Sequence, residues 1–285
     1  MLPRRAFLAG TLGVSAAALL RSRSSFGAKS APVVTKGEAG WTRYFTPSMI
    51  VSIPDAVKDA VRAGSQVDWV LHFHGAPDNL ERNLGAVGLN AVVTVVNRGV
   101  SSDAYGKVRH TLSQYEDDSR KIIGALSVKR TALIGWSAGG AAVHQLMEDE
   151  ATQHRVDAII LADGLYSRYR GANDHTVERG PLEGYAKFAK LAKGNTKFFG
   201  LSHGTIAEVG HPTVRESIDE LLAMVGDTPK PWGARPPSYA LRPYREVHAG
   251  EFHLLGYKGD TRDAHISQLR HMSRTLLPLL AARYK

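Results

Sequence analysis

The sequence predicts an α/β fold, with a mostly parallel central sheet and helices on both of its faces. Three observations predict it. Short, nearly continuous apolar runs recur along the chain, the pattern of strands covered on both sides. Longer amphipathic segments alternate with those runs, and alternation of this kind folds as crossovers between parallel strands. A glycine-flanked serine lies at 135–140, between one apolar run and the next amphipathic segment.

The runs are expected as strands at 69–74, 91–96, 131–135, 156–162, 197–201 and 252–256. Helices are expected at 112–126, where Leu112, Tyr115, Ile122, Ile123 and Leu126 mark one face, and at 138–147, 181–191, 214–225 and 266–280. Residues 166–181 lack periodicity and are expected to form at most a small cap. The Pro-rich stretch 228–237 reads as a loop. Residues 28–40 are small and polar and read as a flexible lead-in, which leaves 41–285 as a single domain.

The chain has 285 residues and no cysteine, which excludes disulfide frameworks, thiolate metal sites and a cysteine nucleophile. Its formal charge of +9 points at first sight to an acidic partner. However, four of the basic residues, Arg4, Arg5, Arg21 and Arg23, fall in the first 27 residues, which hold no acid, so the remainder carries +5. Arg4 and Arg5 precede a weakly apolar run of about 15 residues, shorter than the roughly 20 that a membrane span needs. With Phe7-Leu8 behind them, they resemble a twin-arginine export signal. The expectation is therefore a cleaved signal over 1–27, a partner in the twin-arginine export machinery, and a periplasmic or secreted protein without stable membrane insertion after cleavage. Nucleic acid is not an expected partner, because the other basic residues are scattered.

Gly135-Trp136-Ser137-Ala138-Gly139-Gly140 has the G-x-S-x-G pattern in the context that gives it meaning, after an expected strand and before an expected helix. A serine on such a sharp turn projects its hydroxyl from the sheet edge, and the helix N-terminus favours developing negative charge there. On this motif, on His74-Gly75 and on a late histidine, the sequence resembles an α/β-hydrolase-fold serine hydrolase of the esterase or lipase kind, over essentially the whole chain after the signal. The resemblance implies that Ser137 is the nucleophile and that the backbone N–H groups of Ala76 and Ala138 form an oxyanion hole.

The base must be a histidine, because serine has to lose its proton near neutral pH. His265 is favoured, between the last expected strand and the last helix. His253 falls inside a strand, His271 inside a helix and His248 at a hairpin turn. The order Ser…Asp/Glu…His leaves two main candidates for the acid: Asp163, at a strand tip, and Glu208, in the loop after the next strand. Asp163 is preferred, with Asp260 or Asp263 as local substitutes. His203 stands as a pocket residue, as support for another side chain, or equally as a purely structural residue. His72 and His74, two apart on one strand, share a face and read as structural rather than as a metal pair.

Trp136, His74, Gly75, Tyr166 and Arg98 are the candidate substrate-binding residues, with Arg168 and Tyr169 nearby; Arg98 alternatively forms an internal ion pair. No phosphate-cradling or dinucleotide motif is visible and no cofactor is implied. The expected activity is hydrolysis of a small-molecule or polymer ester through an acyl-enzyme. The alternatives are an amidase or peptidase acting on envelope peptides, and a non-catalytic envelope binding protein.

Overall fold

The computed structural model describes residues 31–107, 109–207, 210–233 and 241–285, and Pro32–Lys285 form one compact unit. The expected signal peptide and Glu208 lie outside the described residues. The strands are β1 (Val33–Lys36), β2 (Trp41–Phe45), β3 (Ile50–Pro54), β4 (Gln66–Phe73), β5 (Ala91–Val96), β6 (Ser127–Trp136), β7 (Ala158–Ala162), β8 (Tyr169–Gly171), β9 (Asp174–Val177), β10 (Phe198–His203), β11 (Lys230–Pro231), β12 (Arg242–Ala249) and β13 (Phe252–Lys258). The helices are α1 (Lys58–Arg62), α2 (Pro77–Val87), α3 (Ser102–Gly106), α4 (Leu112–Ile123), α5 (Gly140–Met147), α6 (Glu150–Arg155), α7 (Glu183–Lys193), α8 (Val214–Val225), α9 (Arg262–Arg270) and α10 (Leu277–Tyr284).

Eleven strands form one sheet in the order β1-β2-β3-β5-β4-β6-β7-β10-β13-β12-β11. From β5 to β13 the neighbours are parallel, and antiparallel strands extend the sheet at both sides. Alternate residues of the central strands enter two separate cores. Trp69, Leu71, Leu133, Ile159, Phe199 and Leu254 face one layer of helices, whereas Val70, Ala132, Ile134, Ile160, Phe198 and Leu255 face the other. This is the two-residue period of a strand with both faces covered, and it explains why these strands read as unbroken apolar runs.

All six expected core strands are present, with shifted ends. β4 stops at Phe73 rather than at 74, and β6, β10 and β13 extend beyond their apolar runs. The expected helix 266–280 is instead two helices, α9 and α10, separated by a 3₁₀ turn at Met272–Arg274. Pro278 in the first turn of α10 suits a helix start and cannot continue a helix from before. The lead-in 28–40 contains β1, paired with β2. Residues 166–181 hold the small β8–β9 hairpin, the region where a cap was expected. Among the described residues, no helix is long and apolar enough to cross a membrane.

Helix α2 is anchored through a buried carboxylate. Glu81 accepts hydrogen bonds from Arg43 Nε (2.7 Å), Ser52 Oγ (2.7 Å) and the Glu38 backbone N–H (2.9 Å). A buried charge is tolerated when its lone pairs are all met in this way. The anchor matters for the site because Ala76 is the N-cap residue of α2.

Candidate active site

The parallel strands deliver the candidate residues to one edge of the sheet. His74 follows β4, Ser137 follows β6, Asp163 follows β7 and Gly204 follows β10, and β4, β6, β7 and β10 are consecutive neighbours. Loops beyond the carboxyl ends of parallel strands are where such sheets bind ligands. Among the described residues, only four other than glycine have a left-handed backbone. Three of them are His74 (φ 68°), Ser137 (φ 49°) and Asp163 (φ 49°). Such conformations cost of the order of 1 kcal/mol or more each and persist where the surroundings over-determine them.

Ser137 opens a 3₁₀ turn, Ser137–Gly139, that runs into α5. The turn is pressed against its neighbours: a Cβ on Gly139 would lie 2.1 Å from the Phe73 carbonyl oxygen. Ala138 is buried within this turn. Opposite it, a reciprocal amide pair fixes the loop that leads to Ala76. The Gly75 N–H donates to Asn97 Oδ1 (2.9 Å), and Asn97 Nδ2 donates to the Gly75 carbonyl (2.9 Å). Sequence reasoning weighed Arg98 here and missed Asn97. The available signal was position alone, a short amide side chain one residue beyond a strand that pairs with β4.

His265 sits in the first turn of α9, capped by Thr261, rather than in a loop. Its Nδ1–H donates to Asp163 Oδ2 at 2.7 Å. An ionised carboxylate can only accept, so the proton is on Nδ1 and a neutral ring keeps its Nε2 lone pair. The other oxygen, Asp163 Oδ1, accepts the Gly204 N–H at 2.8 Å. The Asp163 side chain is 5 % exposed and that of His265 is 20 % exposed, so water competes weakly for the pair. Asp163 is thus an acid candidate in contact with His265, and Glu208 is outside the described residues.

Trp136, His74 and His265 form a stack. Trp136 lies parallel to His74 with ring centres 4.8 Å apart, and 5.0 Å from His265 on a 32° tilt. The Trp136 indole N–H donates to the His265 carbonyl (3.2 Å), tying α9 to the serine turn. His74 Nδ1 and the Tyr105 hydroxyl are 3.1 Å apart. Burial holds the His74 imidazole below its usual pKa, and the neighbouring His265 adds to the effect. His72 is fully buried within β4, whereas His74 lies just beyond its end at φ 68°, so the strand's two-residue alternation does not extend to His74.

A cleft of about 560 Å³ opens at Ser137, lined among others by Ala138, Ala141, Val100, Tyr166, Asp103 and Lys107. Tyr166 thus shares a cavity with Ser137. Arg98 is exposed beside the Tyr105 hydroxyl, which accepts its backbone N–H (2.9 Å), and no ion pair to it is seen among the described residues. Arg168 is paired with Glu178, and the Tyr169 hydroxyl donates to Glu216 (3.2 Å). Among the described residues, no group of three or more His, Cys, Asp or Glu side chains could hold a metal ion.

His72 and His203 are fully buried, and burial pushes each down from 6.5 to about 4. Their pKa values are lower in the folded state than in the unfolded one, so the unfolded chain binds more protons between pH 6.5 and 4. Stability is complete above that window and falls as the pH drops through it, by of the order of 3 kcal/mol per imidazole. Melting temperature measured from pH 8 to pH 4 is expected to decline below pH 6.5. The decline should be shallower in His72→Asn, whose amide keeps the donor to the Ile134 carbonyl (3.2 Å in the native protein) without the titration.

The fold is α/β, with a mostly parallel central sheet covered on both faces. The chain matches no protein-family model and no curated protein. Among solved structures it is similar in shape to poly(aspartic acid) hydrolase-1 from Sphingomonas sp. KT-1, at 12% identity and a TM-score of 0.41, over 86% of this chain and 97% of that one. It is also similar to Est1E from Butyrivibrio proteoclasticus, at 11% identity and 0.38, over 88% and 100%. LpqC, a poly(3-hydroxybutyrate) depolymerase from Bordetella parapertussis, gives 14% identity and 0.43, over 83% and 84%. Likeness at this level says nothing of substrate, so the chemistry rests on the chain's own residues.

Proposed function

We propose that the protein is a serine hydrolase that cleaves a carboxylic ester through an acyl-enzyme intermediate. What supports this reading above all is the 2.7 Å hydrogen bond from His265 Nδ1 to Asp163 Oδ2, made on the same sheet edge as the strained turn of Ser137. In this reading the Ser137 hydroxyl attacks the ester carbon while His265 Nε2 takes its proton. The carbonyl π electrons move onto oxygen, held by the N–H groups of Ala76 and Ala138. The oxyanion collapses, the alkoxide leaves with the proton from His265, and water repeats the sequence to release the acid and free Ser137. Asp163 holds the imidazole in the productive tautomer and stabilises its charged form.

The cleft carries Ser102, Asp103, Lys107, Ser167 and His211 beside Val100, Ala141 and Tyr166. Such a mixed lining suits a short or polar acyl group better than a long alkyl chain. The arginine pair at Arg4 and Arg5 would direct the folded enzyme out of the cytoplasm.

A fluorophosphonate probe tests the assignment. It is expected to label one site per chain, and peptide mapping should place the label on Ser137. p-Nitrophenyl acetate should be turned over faster than the palmitate ester. Labelling at another residue would overturn the reading. The acid is tested separately. Asp163→Asn is expected to lower kcat about 10⁴-fold, because an amide at that position favours the wrong histidine tautomer. Glu208→Gln should lower it less than about tenfold, because in this reading Asp163 already holds His265 Nδ1.

A further inference from the structure

The carboxylate of Asp163 is held by a backbone N–H, and that backbone is itself held by buried side chains that the proposed mechanism does not use. His203 ends β10 and is fully buried. Its cross-strand partner on β13 is Gly256, and the partner of Gly256 on β12 is Arg245. A side chain on Gly256 would block the space between them: a Cβ there would lie 2.5 Å from Arg245 Cγ and 2.7 Å from His203 Nε2. Without one, Arg245 reaches across the middle strand and Nε–H donates to His203 Nε2 at 2.8 Å. Arg245 Nη1 also donates to Asp219 Oδ1 at 2.5 Å, so its head group is held from α8.

Arginine has no acceptor, so His203 Nε2 must offer a lone pair and its proton must sit on Nδ1. Nδ1–H donates to the carbonyl of Gly204 at 2.6 Å, and the N–H of the same Gly204 donates to Asp163 Oδ1 at 2.8 Å. A continuous set of bonds therefore runs from Asp219 through Arg245, His203 and Gly204 to Asp163, and from there to His265. The charged groups around His203 are Arg245 from β12, Asp219 from α8 and Asp163 from the β7 end.

We propose that His203 and Arg245 are positioning residues for the Asp163–His265 pair, acting by clamping Gly204 so that its N–H fixes the carboxylate. The inference rests on the reading of Ser137, His265 and Asp163 as hydrolytic machinery, because only there does the pair serve a reaction. Neither residue touches substrate. Their loss loosens the aim of His265, which costs turnover rather than substrate affinity.

The test compares Arg245→Met, His203→Leu and His203→Asn with the native chain, using p-nitrophenyl acetate kinetics and the low-field proton resonance of His265 Nδ1–H. An Asn amide occupies the Nδ1 position, so His203→Asn keeps the donor to Gly204 and loses only the bond to Arg245. His203→Leu, which loses the donor to Gly204, is expected to lower kcat about 10- to 100-fold with KM changed less than about 2-fold, the cost of a small misplacement of a reacting group; Arg245→Met, which leaves that donor in place but unsupported, is expected to lower kcat about 5-fold. Both should shift or broaden the resonance. His203→Asn should stay within about 5-fold of the native kcat. Should Arg245→Met not fold, as judged by circular dichroism, the comparison of the two His203 variants decides. Unchanged kcat and an unmoved resonance in His203→Leu would overturn the proposal, as would equal losses in the Leu and Asn variants. The resonance reads the Asp163–His265 bond without catalysis. A native chain that neither turns over ester nor takes the probe therefore defeats the hydrolase reading, while a shifted resonance in the variants still supports the clamp.

Discussion

Ser137→Ala is expected to lower kcat/KM for p-nitrophenyl acetate by about 10⁴- to 10⁶-fold and to abolish fluorophosphonate labelling. The size follows from the proposed mechanism. Without the hydroxyl there is no acyl-enzyme, and any residual rate comes from water activated by His265 next to the amides of Ala76 and Ala138. The variant should fold as the native chain does. Ser137 lies in the left-handed region at φ 49°, and alanine meets the same backbone strain there as serine. Its side chain removes one half-exposed hydroxyl and adds no atom, so the melting temperature should move by no more than about 2 °C. A large kinetic loss with an unchanged melting temperature separates a lost nucleophile from a lost fold. Retained labelling in Ser137→Ala would mean that another residue carries the reaction.

Much of this site was legible in the sequence because its signals are local. The strand run 131–135, the small residues around Ser137 and the apolar residues after them all lie within about a dozen positions, and strand–turn–helix geometry follows from them. Asp163 and His265 were legible as residues at the ends of expected elements, because parallel strands bring such positions to one edge. The clamp behind Asp163 was not legible. His203, Arg245 and Gly256 come from three strands, and their meeting depends on the register of β10, β13 and β12. The antiparallel strands β1 to β3 were also missed. Trp41, Val51 and Ile53 are buried in this sheet extension, but its short strands mix polar and apolar residues without the continuous runs that mark the centre. The expected helix 266–280 is divided between α9 and α10, and the local mark of the new start is Pro278.

The loss of stability expected to be greatest follows from the contact between the serine turn and the loop of Asp163. Gly140, the first residue of α5, meets Gly164 backbone to backbone: a Cβ on Gly140 would lie 1.7 Å from the Gly164 carbonyl oxygen and 2.7 Å from its carbon. The approach is tight from the other side as well, since a Cβ on Gly164 would lie 2.8 Å from the Ser137 carbonyl oxygen. No rotamer change relieves such a clash, because the atoms struck are backbone. Gly140→Ala must therefore push α5 away from the sheet edge or move the loop that carries Asp163. The expected cost is about 3 to 5 kcal/mol, a fall in melting temperature of the order of 10 °C for a chain of this size. Gly88→Ala supplies the comparison. Gly88 ends α2 at φ 67° with nothing within 4 Å of the added carbon, so it carries only the left-handed backbone cost of about 1 kcal/mol. If the two alanine variants melt together, the close approach of the serine turn and the Asp163 loop contributes nothing to stability. If Gly140→Ala melts far lower and its residual folded protein also turns over ester slowly, the same contact that holds the fold together also sets the distance between Ser137 and the Asp163–His265 pair.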